Sequence, residues 1–271
     1  MDRIQEHYID IEARQVAFLL MEHILHLTQE QILIDTQLEI SAESMVRLEE
    51  GITKLEQLHP IQHIIGKAHF YGRNFNVDSN VLIPRQETEE LVDAILVDNK
   101  RQNLKILDIG TGSGCIALTL ALELKNASVT ALDVDPQALN VTQRNASMLG
   151  VDLKTIQADI LSMDALPDSF DIIVSNPPYV TESEKEVMSR LVLDNEPHLA
   201  LFVTDDDPLL FYEKIGALSK RHLSSQGKLY LEINEQFGAN ILKLLEGFQF
   251  DYLQLVKDLN GNDRFIKAML A

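Results

Sequence analysis

Residues 104–135, LKILDIGTGSGCIALTLALELKNASVTALDVD, read as strand, glycine-rich turn, helix and strand in immediate succession. Residues 104–109 form an apolar run of strand length, 113–124 a helix, and Ser128–Asp133 a second strand. Strand, helix and strand in that order pair in parallel through a right-handed crossover. Gly110, Gly112 and Gly114 alternate through the turn, where the backbone must take positive φ or lie against a ligand with no Cβ between them. A lone G-x-G is a weak signal, and the G-x-G-x-G spacing departs from the G-x-G-x-x-G of dinucleotide sites.

The alternation continues towards the carboxyl terminus. Pro136 and Gly150 bracket a helix with the usual asymmetry. Strands follow at 154–158 and Phe170–Ser175, a helix at 209–222 and a strand at 228–233. After a helix over 241–248, strands 252–256 and 264–268 are joined through Asn260-Gly261, a strong hairpin signal. An antiparallel hairpin closing an otherwise parallel sheet suits the seven-stranded, Rossmann-like sheet of S-adenosylmethionine-dependent methyltransferases better than a dinucleotide dehydrogenase. The expected class is therefore α/β, with that sheet and a small amino-terminal helical domain.

The helical domain is read from residues 1–65. Ile9, Ala13, Val16, Leu20, Ile24 and Leu27 make one apolar stripe, and Met45, Leu48, Ile52 and Leu55 another, capped at Ser41. Residues 66–83 then predict a β-hairpin linker, with strands 68–70 and 75–77 around a Tyr-Gly-Arg-Asn turn, and 84–271 the sheet domain. Glu87 and Glu89 fall in the first turn of a helix, where acidic residues suit the macrodipole.

Charge and composition narrow the function. With 42 acidic and 23 basic residues the net charge is −19, which argues against broad contact with a nucleic-acid backbone and is compatible with a small molecule or a basic protein partner. No apolar run approaches the ~20 residues of a membrane span, and the charged amino terminus MDRIQEHYIDIEAR is no signal peptide. The expectation is a cytoplasmic, monomeric protein. The single Cys115 rules out an internal disulfide, and His59, His63 and His69 complete no metal-ligand pattern, so no metal is expected.

Carboxyl ends of strands in open α/β sheets are where ligands bind, and Asp133, Asp159 and Asn176 stand at or just after three of them. Asp133 can accept from both ribose hydroxyls or cap the next helix, for which Asp135 is better placed. Asp159, followed by Ile160, can border an adenine or be a solvated loop residue. Phe170–Ser175 runs into Asn176-Pro177-Pro178-Tyr179, and two prolines cannot continue a ladder. The Asn176 side-chain oxygen and the Pro177 carbonyl can each accept one N–H of an amino group conjugated to a carbonyl or ring, with Tyr179 covering the plane.

These segments together resemble the HemK-type peptide chain release factor glutamine methyltransferases over nearly the full length. The likeness is carried by residues 59–62, 65–66, 70–72, 81–85, 87–89, 110–114, Asp133, 176–179, Glu196-Pro197, Ala200-Leu201, Asp258, Gly261 and Arg264. It implies methylation of the glutamine amide in the Gly-Gly-Gln motif of class 1 peptide chain release factors, with S-adenosylmethionine as donor. It implies that Gly110, Thr111, Gly112, Ser113 and Gly114 hold the donor's methionine part, Asp133 its ribose, and Asp159 with Ile160 its adenine. Asn176, Pro177, Pro178 and Tyr179 would grip the glutamine, and Arg85, Glu87 and Thr88 would close the site near the donor's carboxylate. The family usually has Pro at Gln86, often an aromatic residue at Ile160 and commonly a glycine-rich stretch at 203–207; Ile160 keeps its backbone N–H, but stacking on adenine is weakened. The competing enzyme reading is an N6-adenine or N4-cytosine methyltransferase acting on DNA or RNA, which shares the Asn-Pro-Pro-Tyr logic and is opposed by the acidic charge.

Overall fold

The computed structural model describes residues 10–35 and 37–270; Ile9 of the first apolar stripe lies outside them. Helices α1 (Asp10–Leu25), α2 (Gln29–Ile34), α3 (Ala42–Glu56) and α4 (Ile61–Ile65) precede a hairpin of β1 (Lys67–Phe70) and β2 (Arg73–Asn76). Then come α5 (Gln86–Asp98), β3 (Lys105–Ile109), α6 (Cys115–Glu123), β4 (Ser128–Asp133), α7 (Pro136–Leu149), β5 (Lys154–Gln157) and β6 (Phe170–Ser175). The short elements β7 (Val180–Thr181), α8 (Arg190–Leu193), α9 (His198–Leu201) and β8 (Phe202–Val203) lead into α10 (Leu210–His222), β9 (Leu223–Glu232), α11 (Gly238–Gly247), β10 (Tyr252–Lys257) and β11 (Asp263–Met269). The chain divides into two compact units, Met1–Lys67 with Met188–Asn195, and Ala68–Val187 with Glu196–Ala271.

The helical unit buries Ala13, Val16, Leu20 and Ile24 of α1 against Leu48 and Leu55 of α3 and Ile61 of α4. Gly51 lets α1 and α3 touch, since a Cβ there would stand 2.6 Å from Leu20 Cδ1. Ser41 caps α3 through Ser44 N, as expected, but Met45 is exposed, and the buried row of α3 runs instead through Leu48, Gly51 and Leu55. The returning segment Met188–Asn195 adds Leu191 to this core, and Asn195 Nδ2 donates to the Leu58 carbonyl at 2.8 Å. Helix α2 was not expected; its signal was the capping box of Thr28 and Gln31.

The second unit is built on a seven-stranded sheet in the order β10-β11-β9-β6-β3-β4-β5. Strands β9, β6, β3, β4 and β5 are parallel, and β11 and β10 close the sheet antiparallel. Buried clusters cover both faces, which is why the central strands read as continuous apolar runs. The hairpin β1–β2, from Ala68 onward, falls in this unit. Phe70 and Phe75 are fully buried in its core with rings 6.0 Å apart, edge to face. Its turn is the two residues Tyr71 and Gly72, both at positive φ, shorter than the four-residue turn expected. Among the described residues no helix is long and apolar enough to cross a membrane.

Candidate active site

The carboxyl ends of β3, β4, β5 and β6 open on one cleft of about 260 Å³. Its walls include Gly110, Thr111, Gly112, Ser113, Asp133, Asp159, Ile160, Asn176, Pro177 and Pro178. Of the residues expected to hold the donor or the glutamine, Gly114 and Tyr179 are not on the wall. Gly114 packs under α7: at φ +80°, a Cβ would meet Thr142 Cγ2 at 2.9 Å and Leu118 Cδ1 at 3.1 Å. Gly112, at φ +56°, has nothing within 4 Å of its Cβ position, so the chain there is bare towards the cleft.

The turn after β3 is held from below. Gly110 N and Thr111 N both donate to the Leu132 carbonyl, at 2.8 and 3.0 Å. The carboxyl of Asp108, fully buried, accepts from Thr111 Oγ1 at 2.7 Å and Ala117 N at 3.2 Å through Oδ2, while Oδ1 has no partner among the described residues. Burial pushes this carboxyl up to about 7 against the bonds from Thr111 and Ala117. Burial likewise pushes the Cys115 thiol up to about 12, so it is held as a packing thiol.

Asp133 is 9% exposed and accepts one backbone N–H on each oxygen, Gly112 N on Oδ2 at 2.9 Å and Asp135 N on Oδ1 at 3.0 Å. Each carboxylate oxygen has room for a second donor, so two adjacent acceptors remain, the pattern that fits a vicinal diol. Desolvation raises its pKa, with the Asp135 and Gly112 N–H groups opposing. The helix-capping role goes to Asp135, which accepts from Gln137 N. Asp159 is exposed and commits Oδ1 to Leu161 N at the start of a single 3₁₀ turn. The bare glycine turn, the paired acceptors of Asp133 and the apolar Ile160 fit an adenosyl group joined to a short zwitterionic chain.

Asn176 follows β6 directly. Its Nδ2 donates to Thr88 Oγ1 at 3.4 Å, which leaves Oδ1 as an acceptor; neither Oδ1 nor the Pro177 carbonyl takes up an N–H of the described residues. Tyr179 points elsewhere. Its hydroxyl donates to Glu232 Oε1 at 3.2 Å, and burial and the Glu232 charge raise its pKa. Thr88, expected near the donor's carboxylate, is 3% exposed and donates to Glu232 Oε2 at 2.7 Å. Burial raises the Glu232 carboxyl, while the Thr88 hydroxyl and the Arg264 charge pull it down.

Arg85 does line the cleft, paired to Glu196, whose carboxylate also accepts from Ile83 N at 3.1 Å and is buried. Glu196 thereby ties the segment before α5 to the loop after Asn195. Glu87 is not on the cleft wall, so of the three residues expected to close the site Arg85 and Thr88 reach it.

Comparisons with known proteins place the chain in a family. The family model of the PrmC N-terminal domain matches residues 1–66, and that of the Methyltransferase small domain matches residues 87–201. A release factor glutamine methyltransferase of Flavobacterium psychrophilum is 46% identical over 261 residues, covering 95% of this chain and 92% of that protein. One from Bacteroides thetaiotaomicron is 42% identical, covering 98% and 95%. The crystal structure of a methyltransferase from Pyrococcus furiosus shares the fold, with TM-score 0.56 at 16% identity over 84% of this chain and 98% of that one. At such identity over nearly its whole length, the chain belongs to the family of the release factor glutamine methyltransferases.

Proposed function

We propose that this enzyme transfers a methyl group from S-adenosylmethionine to the side-chain amide nitrogen of the glutamine in the Gly-Gly-Gln motif of class 1 peptide chain release factors. The observation behind this reading is that two uncommitted acceptors, Asn176 Oδ1 and the Pro177 carbonyl, stand on the same cleft as the bare glycine turn and Asp133. In this reading residues 110–113 hold the methionine part, Asp133 the ribose hydroxyls, and Asp159 with the Ile160 N–H the adenine edge. S-adenosylmethionine, when bound, supplies a methyl carbon made electrophilic by its sulfonium. An amide nitrogen is a poor nucleophile because its lone pair is delocalised into the carbonyl. Accepting both of its N–H bonds draws that nitrogen towards a tetrahedral shape and aims the lone pair, a gain from positioning and fixed dipoles. With the donor bound, the new N–C bond would form as the methyl carbon's bond to sulfur breaks, the sulfur leaving as a neutral thioether and the extra amide proton leaving to water. Pro177 and Pro178 stiffen the backbone that presents the acceptors.

The helical unit is the part we assign to recognising the release factor; α1, α2 and α3 expose Leu19, Leu33, Ile34 and Val46. The acidic chain suits a basic protein partner, and in this reading it works as a monomer in the cytoplasm without binding nucleic acid. The test is incubation with labelled S-adenosylmethionine and, separately, a release factor, the same factor with its Gly-Gly-Gln glutamine replaced, DNA and RNA. Label is expected in the Gly-Gly-Gln peptide alone. Label in nucleic acid, or undiminished label in the replaced factor, overturns the reading.

A further inference from the structure

Strands β6 and β9 run parallel with Ser175 opposite Leu231, so the next residue of each, Asn176 just past β6 and Glu232 at the end of β9, are neighbours at the sheet's carboxyl edge. Glu232 is 1% exposed, and a buried carboxyl is retained in a core only where its oxygens are well used. Both are: Oε2 accepts from Thr88 at 2.7 Å and Oε1 from Tyr179 at 3.2 Å.

The direction of these bonds matters more than their number. An asparagine amide is nearly symmetric in shape and opposite in polarity at its two ends. Turned over, Asn176 would point two N–H donors at an incoming N–H group and repel it. What fixes the turn is Thr88. Its hydroxyl has one proton, and that proton goes to the Glu232 carboxylate, which can only accept. The Thr88 oxygen is thereby left as an acceptor, so the end of Asn176 facing it must be Nδ2, 3.4 Å away. The chain of donation runs one way, from Asn176 to Thr88 to Glu232.

We propose that Glu232 is a positioning residue for methyl transfer, acting through Thr88 to hold Asn176 with Oδ1 towards the substrate amide. This rests on the reading of Asn176 as an amide acceptor. Glu232 is not on the cleft wall, so in this proposal it acts without touching substrate or donor. Its second oxygen anchors Tyr179, which steadies the chain just after the two prolines.

The experiment compares Glu232→Gln, Thr88→Val, Thr88→Ser, Tyr179→Phe, the double variant Glu232→Gln/Thr88→Val and Asn176→Ala, all in the full chain with release factor as substrate. Glutamine at 232 is isosteric but can donate, so the chain of bonds loses its fixed direction. Glu232→Gln and Thr88→Val are each expected to lower kcat on the order of 10- to 100-fold, the scale for losing a positioned acceptor. The Kd for S-adenosylmethionine should stay within about two-fold of wild type by the same argument. Thr88→Ser, which keeps the hydroxyl, restores turnover. The double variant falls no further than Thr88→Val alone, since the carboxylate acts through that hydroxyl. Tyr179→Phe removes the bond to the other oxygen and is expected to lower kcat less than Thr88→Val does; a larger loss than that of Thr88→Val counts against the proposal. Wild-type turnover by Glu232→Gln, or a double variant whose loss is the product of the two single losses, overturns the proposal. Undiminished turnover by Asn176→Ala overturns instead the reading on which it rests.

Discussion

Replacing Asp133 by asparagine isolates the contact that the structure reserves for a vicinal diol. Asp133 Oδ1 and Oδ2 each hold one backbone N–H, from Asp135 and Gly112, and each keeps one further acceptor position. Asparagine retains one oxygen and turns the other into a donor that faces the N–H it used to accept. One acceptor for a hydroxyl is lost together with the charge, and a bond to a charged acceptor contributes roughly 1.5–3 kcal/mol. At 1.4 kcal/mol per decade this is about 10- to 150-fold in Kd. Isothermal titration with S-adenosylmethionine and with its 2′-deoxy analogue measures it. Wild type should bind the analogue less tightly than the parent compound, whereas Asp133→Asn should discriminate far less between the two. Affinity within two-fold of wild type, in a variant that melts normally, would refute the placement of the ribose.

Three further outcomes follow from the same geometry. Gly114→Ala drives a Cβ into Thr142 and Leu118 and should lower stability by about 1–3 kcal/mol, whereas Gly112→Ala meets no protein atom and should cost less stability but more cofactor affinity, a split read by thermal melting against titration. Asp108 has its pKa raised from 3.8 to about 7, so between those values the folded chain holds a proton that the unfolded chain has released; stability therefore falls as pH rises through the window. Asp108→Asn should remove this fall, amounting to about 4 kcal/mol at most, and parallel urea-derived stability curves for the two proteins from pH 4 to 8 would exclude it. On α3, Val46 is 58% exposed, and Val46→Glu should raise KM for the release factor several-fold with the Kd for S-adenosylmethionine unchanged; equal KM values would move the docking face elsewhere.

The alternation from Lys105 onward revealed the sheet because its central parallel strands, covered on both faces, are largely apolar. The antiparallel ending was legible in Asn260-Gly261. Strand β9 was read short because its pairing with β6 jumps from Phe170–Leu223 to Ile172–Lys228, with Gln226 at positive φ in between, and an interrupted ladder leaves no two-residue period to see. The strand-end part of the site's wall was likewise visible, but Glu232 was not. It sits after Leu229-Tyr230-Leu231 like any polar end of a strand, and only register brings it to Asn176, 56 positions earlier in the chain. The orientation of Tyr179 was equally hidden, since a motif names a residue without saying which way it faces. Glu87, expected to close the site, serves the first turn of α5 instead.

The eight residues Met188–Asn195 belong to the helical unit although nearly all of the central parallel sheet precedes them in sequence. A nascent chain that has emerged only as far as Lys67 carries α1 to α4 without Leu191 to cover their core and without Asn195 to take up the Leu58 carbonyl. The first unit to leave the ribosome is thus not complete until residue 195 has been made, and its maturation waits on synthesis of the strand and loop that bear Asn176. An enzyme that serves translation has, in this segment, an order of assembly set by translation itself.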